Sequence, residues 1–176
     1  HSYPHDGRSK TPVIFRSTEQ WFIAVDVEVD GASLRKQALD ATANDIDFYP
    51  PRSQNRMRGM VDSRPDWCLS RQRAWGLPIP AFQDANGNIV MSASSVLAIA
   101  SVIREEGSDA WFTKEPAELL VSWDNPDNLD LNSLTKLYDI FDVWFESGTS
   151  WHTVMQQRGL GYPSDLYLEG GDQHRG

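Results

Sequence analysis

A lone cysteine, Cys68, leaves the chain without a partner for an internal disulfide and without the makings of a cysteine-rich zinc site. It points to a reducing compartment. No run of about 18 apolar residues occurs, so no transmembrane helix is expected. The opening HSYPHDGRSK lacks the apolar stretch of a signal peptide. A cytoplasmic protein with no membrane partner is the expectation. There is no GxxxxGK phosphate loop, no internal repeat and no low-complexity stretch. Positive charge is also short: 16 Lys and Arg stand against 25 Asp and Glu, giving a net charge of −9. A pI near 4.8 argues against an autonomous nucleic-acid binder, which would carry a basic surface. It leaves room for a local basic patch within a larger assembly.

Apolar residues are plentiful, at 40% of the 176, which is enough for a sizeable core and rules out a wholly disordered chain. The length fits one domain, or one with a small insertion. Seven tryptophans stand out, among them Trp144. Each is read either as core or as the wall of a ligand site. β-Branched and apolar residues predict strands over 11–17, 21–25 and 66–71. Asp30-Gly31-Ala32 is a turn, and Ser33 caps a helix predicted over 33–43. Pro50-Pro51 breaks the chain before a helical stripe of Met57, Met60 and Val61. Asn86-Gly87 signals a hairpin within 82–91. A serine-rich start and Gly107 bracket a helix over 92–106, and 115–121 is a further short helix. Residues 124–135 read as loop. A strand over 138–145 is followed by a helix reaching about Arg158, and a last strand, 165–169, runs into Gly170-Gly171. Two such strand–turn–helix units in succession predict an α/β architecture with parallel strands.

Four segments carry chemistry. In YLEGGDQHRG, residues 167–176, a strand ends at Glu169 and a helix opens behind two glycines. That is where ligands sit in open α/β sheets, so Glu169 and Asp172 are candidates to accept hydrogen bonds from ribose hydroxyls. An acidic first turn that only complements the helix dipole reads equally well. In FDVWFESG, residues 141–148, Trp144 and Glu146 alternate along a strand with Val143 and Phe145, and one set faces the ligand-bearing edge or an adjacent layer. In residues 64–80, Arg64, Arg71 and Arg73 concentrate positive charge, suited to phosphates or to ion pairs within an acidic chain. At the start, His5, Asp6 and Ser9 lack a thiol partner, so no zinc site is expected there. Cys68 reads as a small buried residue. His152 and His174 have no nucleophile pattern around them.

The pieces HSYPHDGRSKTPVIFRSTEQWFI, SRPDWCLSRQRAWGLPIP, DVWFESGTSWH and YPSDLYLEGGDQHRG span the chain and resemble the isoleucyl-tRNA synthetases, class I aminoacyl-tRNA synthetases. Valyl and leucyl enzymes share the DW-x-[IL]-SRQ segment but do not, as families, combine DVWF-acid-SG with YLEG-x-DQHRG. The resemblance implies an ATP-dependent ligase that makes isoleucyl-adenylate and transfers isoleucine to tRNA(Ile), with ATP and Mg as substrates. It implies α/β structure belonging to a Rossmann-type catalytic core with an α+β connective insertion. Residues 1–80 would follow the editing insertion and lead into the core, 81–136 would be the connective insertion, and 137–176 the returning core. The HIGH-type and KMSKS-type motifs that handle the ATP phosphates do not occur here, so the chain alone is expected inactive, with no catalytic residue of its own. Its partners would be isoleucine, ATP, tRNA(Ile) and the remaining domains of one polypeptide.

By the same resemblance Glu169 contacts the aminoacyl-adenylate, Gly170 and Asp172 lie by its ribose, Gln173 lies near the aminoacyl group, and Trp144 walls the isoleucine pocket. Four positions depart from the family pattern. Asp6 and Ser9 stand where many relatives have the cysteines of half a zinc site, so zinc is expected to be absent. Gly171 replaces a commoner serine, and Glu146 an aspartate. Beginning at His1 in mid-motif and ending at Gly176 in mid-helix, the chain reads as a piece of such an enzyme. The competing reading is a free-standing, non-catalytic synthetase-like binding or assembly module.

Overall fold

The computed structural model describes residues 2–168 and 170. After β1 (Phe22–Ile23), the strands β2 (Glu28–Val29) and β3 (Ala32–Ser33) form a hairpin closed by Asp30 and Gly31, with φ of +54° and +87°. Positive φ at both turn residues matches the twist of the paired strands. Ser33 then caps α1 (Leu34–Asn44): its hydroxyl accepts from the Lys36 N–H at 3.2 Å. α2 (Ser53–Asp62) follows the proline pair and packs on α1. Arg35 clamps the two helices. Its guanidinium donates to the carbonyls of Val61, Asp62 and Arg64 and pairs with Asp26.

β4 (Trp67–Cys68) pairs with β1, and β5 (Ser70–Arg71) pairs with a strand far along the chain. β6 (Phe82–Gln83) and β7 (Ile89–Val90) form the hairpin about Gly87, which has φ +86°. α3 (Ala93–Glu106) starts on a reciprocal cap of Ser92 and Ser95 and stops at Gly107, with φ +84°. α4 (Ala110–Thr113) and α5 (Pro116–Leu119) come next, then a 3₁₀ turn, Leu131–Ser133, and β8 (Thr135–Lys136) on the other edge of β6. Phe82, Ile99, Trp111, Leu119, Leu120 and Leu134 are buried together here. The Phe82 and Trp111 rings lie 5.2 Å apart, and the Trp111 indole donates to the Leu137 carbonyl at 3.2 Å. β9 (Ile140–Phe141) is the partner of β5. α6 (Val143–Gly148) and a π-helical turn, Trp151–Gln156, complete the described elements.

The expected α/β character holds as a mixture of helices and short strands, but the parallel strands do not. Among the described residues every strand pairing is antiparallel. Residues 11–17 form no strand. Pro12 cannot donate to a ladder, and the segment folds back on 4–6 through Asp6 N–H to Thr11 O and Val13 N–H to Pro4 O. The run 66–71 changes partner at Leu69, whose N–H goes to Trp21 and whose carbonyl takes the Asp142 N–H. The strand expected over 138–145 stops at Phe141, because Asp142 caps a helix instead. Ser147 and Gly148 therefore end a helix rather than start one, and the coil beyond them is π-helical. Residues 165–168 pair with nothing in a ladder, and Glu169 lies outside the described residues. α4 was not expected.

Candidate functional site

Asp142 is the junction of the site. It is 4% exposed, and its carboxylate takes donors from three separate stretches of chain. Arg71 Nη2 and Trp67 Nε1 donate to Oδ2 at 2.7 and 3.0 Å, and the Trp144 N–H donates to Oδ1 at 3.3 Å. The second guanidinium arm of Arg71 donates to the carbonyls of Cys68 and Ser70. A buried carboxylate is tolerated when its oxygens are paired and hydrogen-bonded in this way. Ser70 locks the same strand: its hydroxyl donates to Gln20 Oε1 at 2.7 Å and accepts the Trp21 N–H at 2.9 Å.

Two clefts meet at the Arg71–Asp142 pair. One, of about 690 Å³, is lined by Trp144 with Met60, Arg64, Trp67 and Cys68. The other, of about 790 Å³, is lined by Arg73, Trp75, Gly76, Phe112, Phe145 and Glu146. Trp144 and Glu146 thus line different clefts. On a strand they would share a face; on α6 they sit about 200° apart, which reverses the expected grouping. Gly76 (φ +154°) lies against β9, where an added Cβ would collide with the Ile140 side chain. That close approach fixes the loop carrying Arg73 and Trp75.

Of the expected site residues, Trp144 lies half-buried on a cleft wall and Gly170 is exposed. Glu169, Asp172 and Gln173 lie outside the described residues. Of the three arginines, Arg71 is ion-paired, whereas no ion pair forms on Arg64 or Arg73 among the described residues. Cys68 is only half-buried, because it lines the Trp144 cleft. Asp142 and Gly76 escaped the sequence reading. For Asp142 a local signal existed: an aspartate with a glutamate four residues on is a helix start with an acidic first turn.

At the turn where a zinc half-site would stand, the Asp6 carboxylate accepts the N–H groups of Ser9 and Arg8 at 2.6 and 3.0 Å. The Ser9 hydroxyl meets that of Thr11 at 2.7 Å, and Cys68 belongs to β4, a different element. Among the described residues no three His, Cys, Asp or Glu side chains converge. The donors present at this turn do not fit a thiolate-held metal.

The family model of the class I tRNA synthetases (I, L, M and V) matches residues 6–176. Isoleucine–tRNA ligases resemble the chain along its whole length. That of Sulfurovum sp. (strain NBC37-1) is 47% identical over 182 residues, that of Gluconobacter oxydans (strain 621H) 45% over 177, and that of Synechococcus sp. (strain ATCC 27144) 47% over 178. In each comparison all of this chain is covered but only 19%, 18% and 18% of the relative, so the chain spans about a fifth of the length of these proteins. With the motifs around Arg71, Asp142 and Trp144 inside one continuous match, the chain belongs to the class I tRNA synthetase family of the I, L, M and V enzymes.

Proposed function

We propose that this chain is a segment of an isoleucine–tRNA ligase, the enzyme that activates isoleucine with ATP and Mg to isoleucyl-adenylate and then charges tRNA(Ile). The observation that carries the reading is 45–47% identity to isoleucine–tRNA ligases along the entire chain rather than over one motif. In this reading Trp144 walls the isoleucine pocket, with the indole of Trp67 and the thioether of Met60 in the same cleft. Apolar contacts of this kind distinguish side chains differing by one methylene by only about 1–3 kcal/mol, which is why a separate editing step belongs to this chemistry. Glu169, Gly170, Asp172 and Gln173 contact the adenylate. Residues 137–176 return to a Rossmann-type core, and 81–136 are inserted into it. The turn at Asp6 and Ser9 works without zinc. Placement in the cytoplasm follows the substrates; the structure adds that no described helix is long and apolar enough to cross a membrane.

Glu169→Ala in the full-length ligase is the decisive variant. Losing a hydrogen bond to a charged group costs about 1.5–3 kcal/mol. Affinity for a non-hydrolysable isoleucyl-adenylate analogue is therefore expected to fall roughly 10- to 150-fold. The melting temperature should hold, since a hydrogen bond made to the ligand is absent from the free protein. Unchanged affinity with a steep loss of melting temperature would show a structural residue. The 176-residue chain assayed alone should give no isoleucine-dependent pyrophosphate exchange.

A further inference from the structure

We propose that Asp142 is a positioning residue for amino-acid binding. Its buried carboxylate holds Trp144 against the body of the site by tying the first turn of α6 to Trp67 and Arg71. The inference rests on the reading of Trp144 as the pocket wall and deepens it.

Three observations carry it. The carboxylate collects donors from β4, β5 and α6, and its partners Trp67 and Arg71 lie 75 and 71 positions away in sequence. All four of the groups joined in this way, Trp67, Arg71, Asp142 and Trp144, line the Trp144 cleft. The side chain is 6% exposed, whereas Arg71 is 39% exposed, so the carboxylate is the fixed member and the guanidinium reaches in from the solvent side.

Capping alone does not need this arrangement. An asparagine or serine accepts a helix N–H equally well, without a charge to bury. A charge is needed once Arg71 must be held, because its guanidinium has no acceptor capacity and matches a carboxylate. Loss of the charge would leave α6 capped but free to shift relative to β4 and β5. The wall would move and the amino acid would lose its fit. The contacts made by Asp142 end on the wall assigned to isoleucine, so the expected effect is on isoleucine binding rather than on ATP.

The experiment measures pyrophosphate exchange by the full-length ligase. Asp142→Asn keeps the shape and one cap acceptor. It should raise KM for isoleucine about tenfold, equivalent to about 1.4 kcal/mol. KM for ATP should stay within about twofold and kcat within about threefold, the split expected when substrate binding alone is weakened. Arg71→Gln, which breaks the same pair from its exposed side, should give the same split and decides the matter should Asp142→Asn fail to fold. Trp144→Ala tests the underlying reading. It should raise KM for isoleucine by itself, and Asp142→Asn added to it should change KM by less than about twofold, since coupled residues are not additive. If Trp144→Ala leaves KM for isoleucine unchanged, the pocket reading fails and positioning falls with it. If Trp144→Ala raises it while Asp142→Asn or Arg71→Gln leaves it unchanged, or shifts kcat and both KM values together, Asp142 is merely structural and the proposal is overturned.

Discussion

Asp6 stabilises its turn through hydrogen bonds from Ser9 and Arg8. The Ser9 amide, ahead of the Ser9 hydroxyl and the Arg8 amide, holds the carboxyl below the usual aspartate range, and the slight desolvation opposes this. The sign follows from which form the donors favour. A pKa depressed in the folded state contributes stability that is full above the unfolded pKa and is lost as pH falls through the folded one. The turn should therefore be intact at neutral pH and loosen only in acid. In ¹⁵N-labelled protein the amide shifts of Arg8 and Ser9 should titrate with a midpoint below the ordinary aspartate value of about 3.9. Asp6→Asn should abolish the titration. A midpoint at or above the ordinary value would mean that the carboxylate does not hold the turn.

Ser92 shows the same economy in a whole element. Its hydroxyl accepts the Ser95 N–H at 3.1 Å and the Ser95 hydroxyl accepts the Ser92 N–H at 2.8 Å, so two donors at the start of α3 are satisfied reciprocally. Ser92→Ala is expected to cost about 0.5–2 kcal/mol, read as an earlier midpoint in urea with an unchanged slope. An unchanged midpoint would show that the cap contributes nothing. Elements with such local chemistry were legible in the sequence: the Asp30-Gly31 and Asn86-Gly87 turns, the cap at Ser33, the serine-rich start of α3 and the stop at Gly107 all depend on neighbours a few residues away. What was not legible was partner choice. The strands are two residues each, too short for alternation to reveal a face, and β4 and β5 answer to β1 and β9 at long range. Residues 138–145 were misread because the apolar run Val143-Trp144-Phe145 suits a strand, while one aspartate at its start decides for a helix. The candidate site divided in the same way. Trp144 was visible as an aromatic in a motif, but Asp142 acts through residues 71 and 75 positions away.

Across the whole molecule, burial is uneven, and this fixes the last expectation. The seven-residue buried cluster lies entirely between Phe82 and Leu134. Before it, α2 has no buried residue, and Ile14 and Phe15 are 84% and 81% exposed. A stretch of some 60 residues is marginal for independent folding. This one, however, buries Phe82 and Trp111 completely, and aromatic side chains remove roughly 150–250 Å² each from water. Its closure depends on where it is cut. Leu137 accepts the Trp111 indole N–H and donates its own N–H to Ala81, and Tyr138 stacks on Phe112 with ring centres 6.4 Å apart. We propose from these contacts that 80–138 can fold as a unit, a span that contains the 81–136 expected for the insertion. A polypeptide of residues 80–138 should unfold in one cooperative transition followed by tryptophan fluorescence. One of residues 83–134 should show none, because it loses Phe82 and strands a buried indole donor, a penalty of about 1–3 kcal/mol on a thin margin. Cooperative melting of both polypeptides would remove the Leu137 closure from the account. Melting of neither would mean that the cluster holds together only through the strands and helices on either side of it.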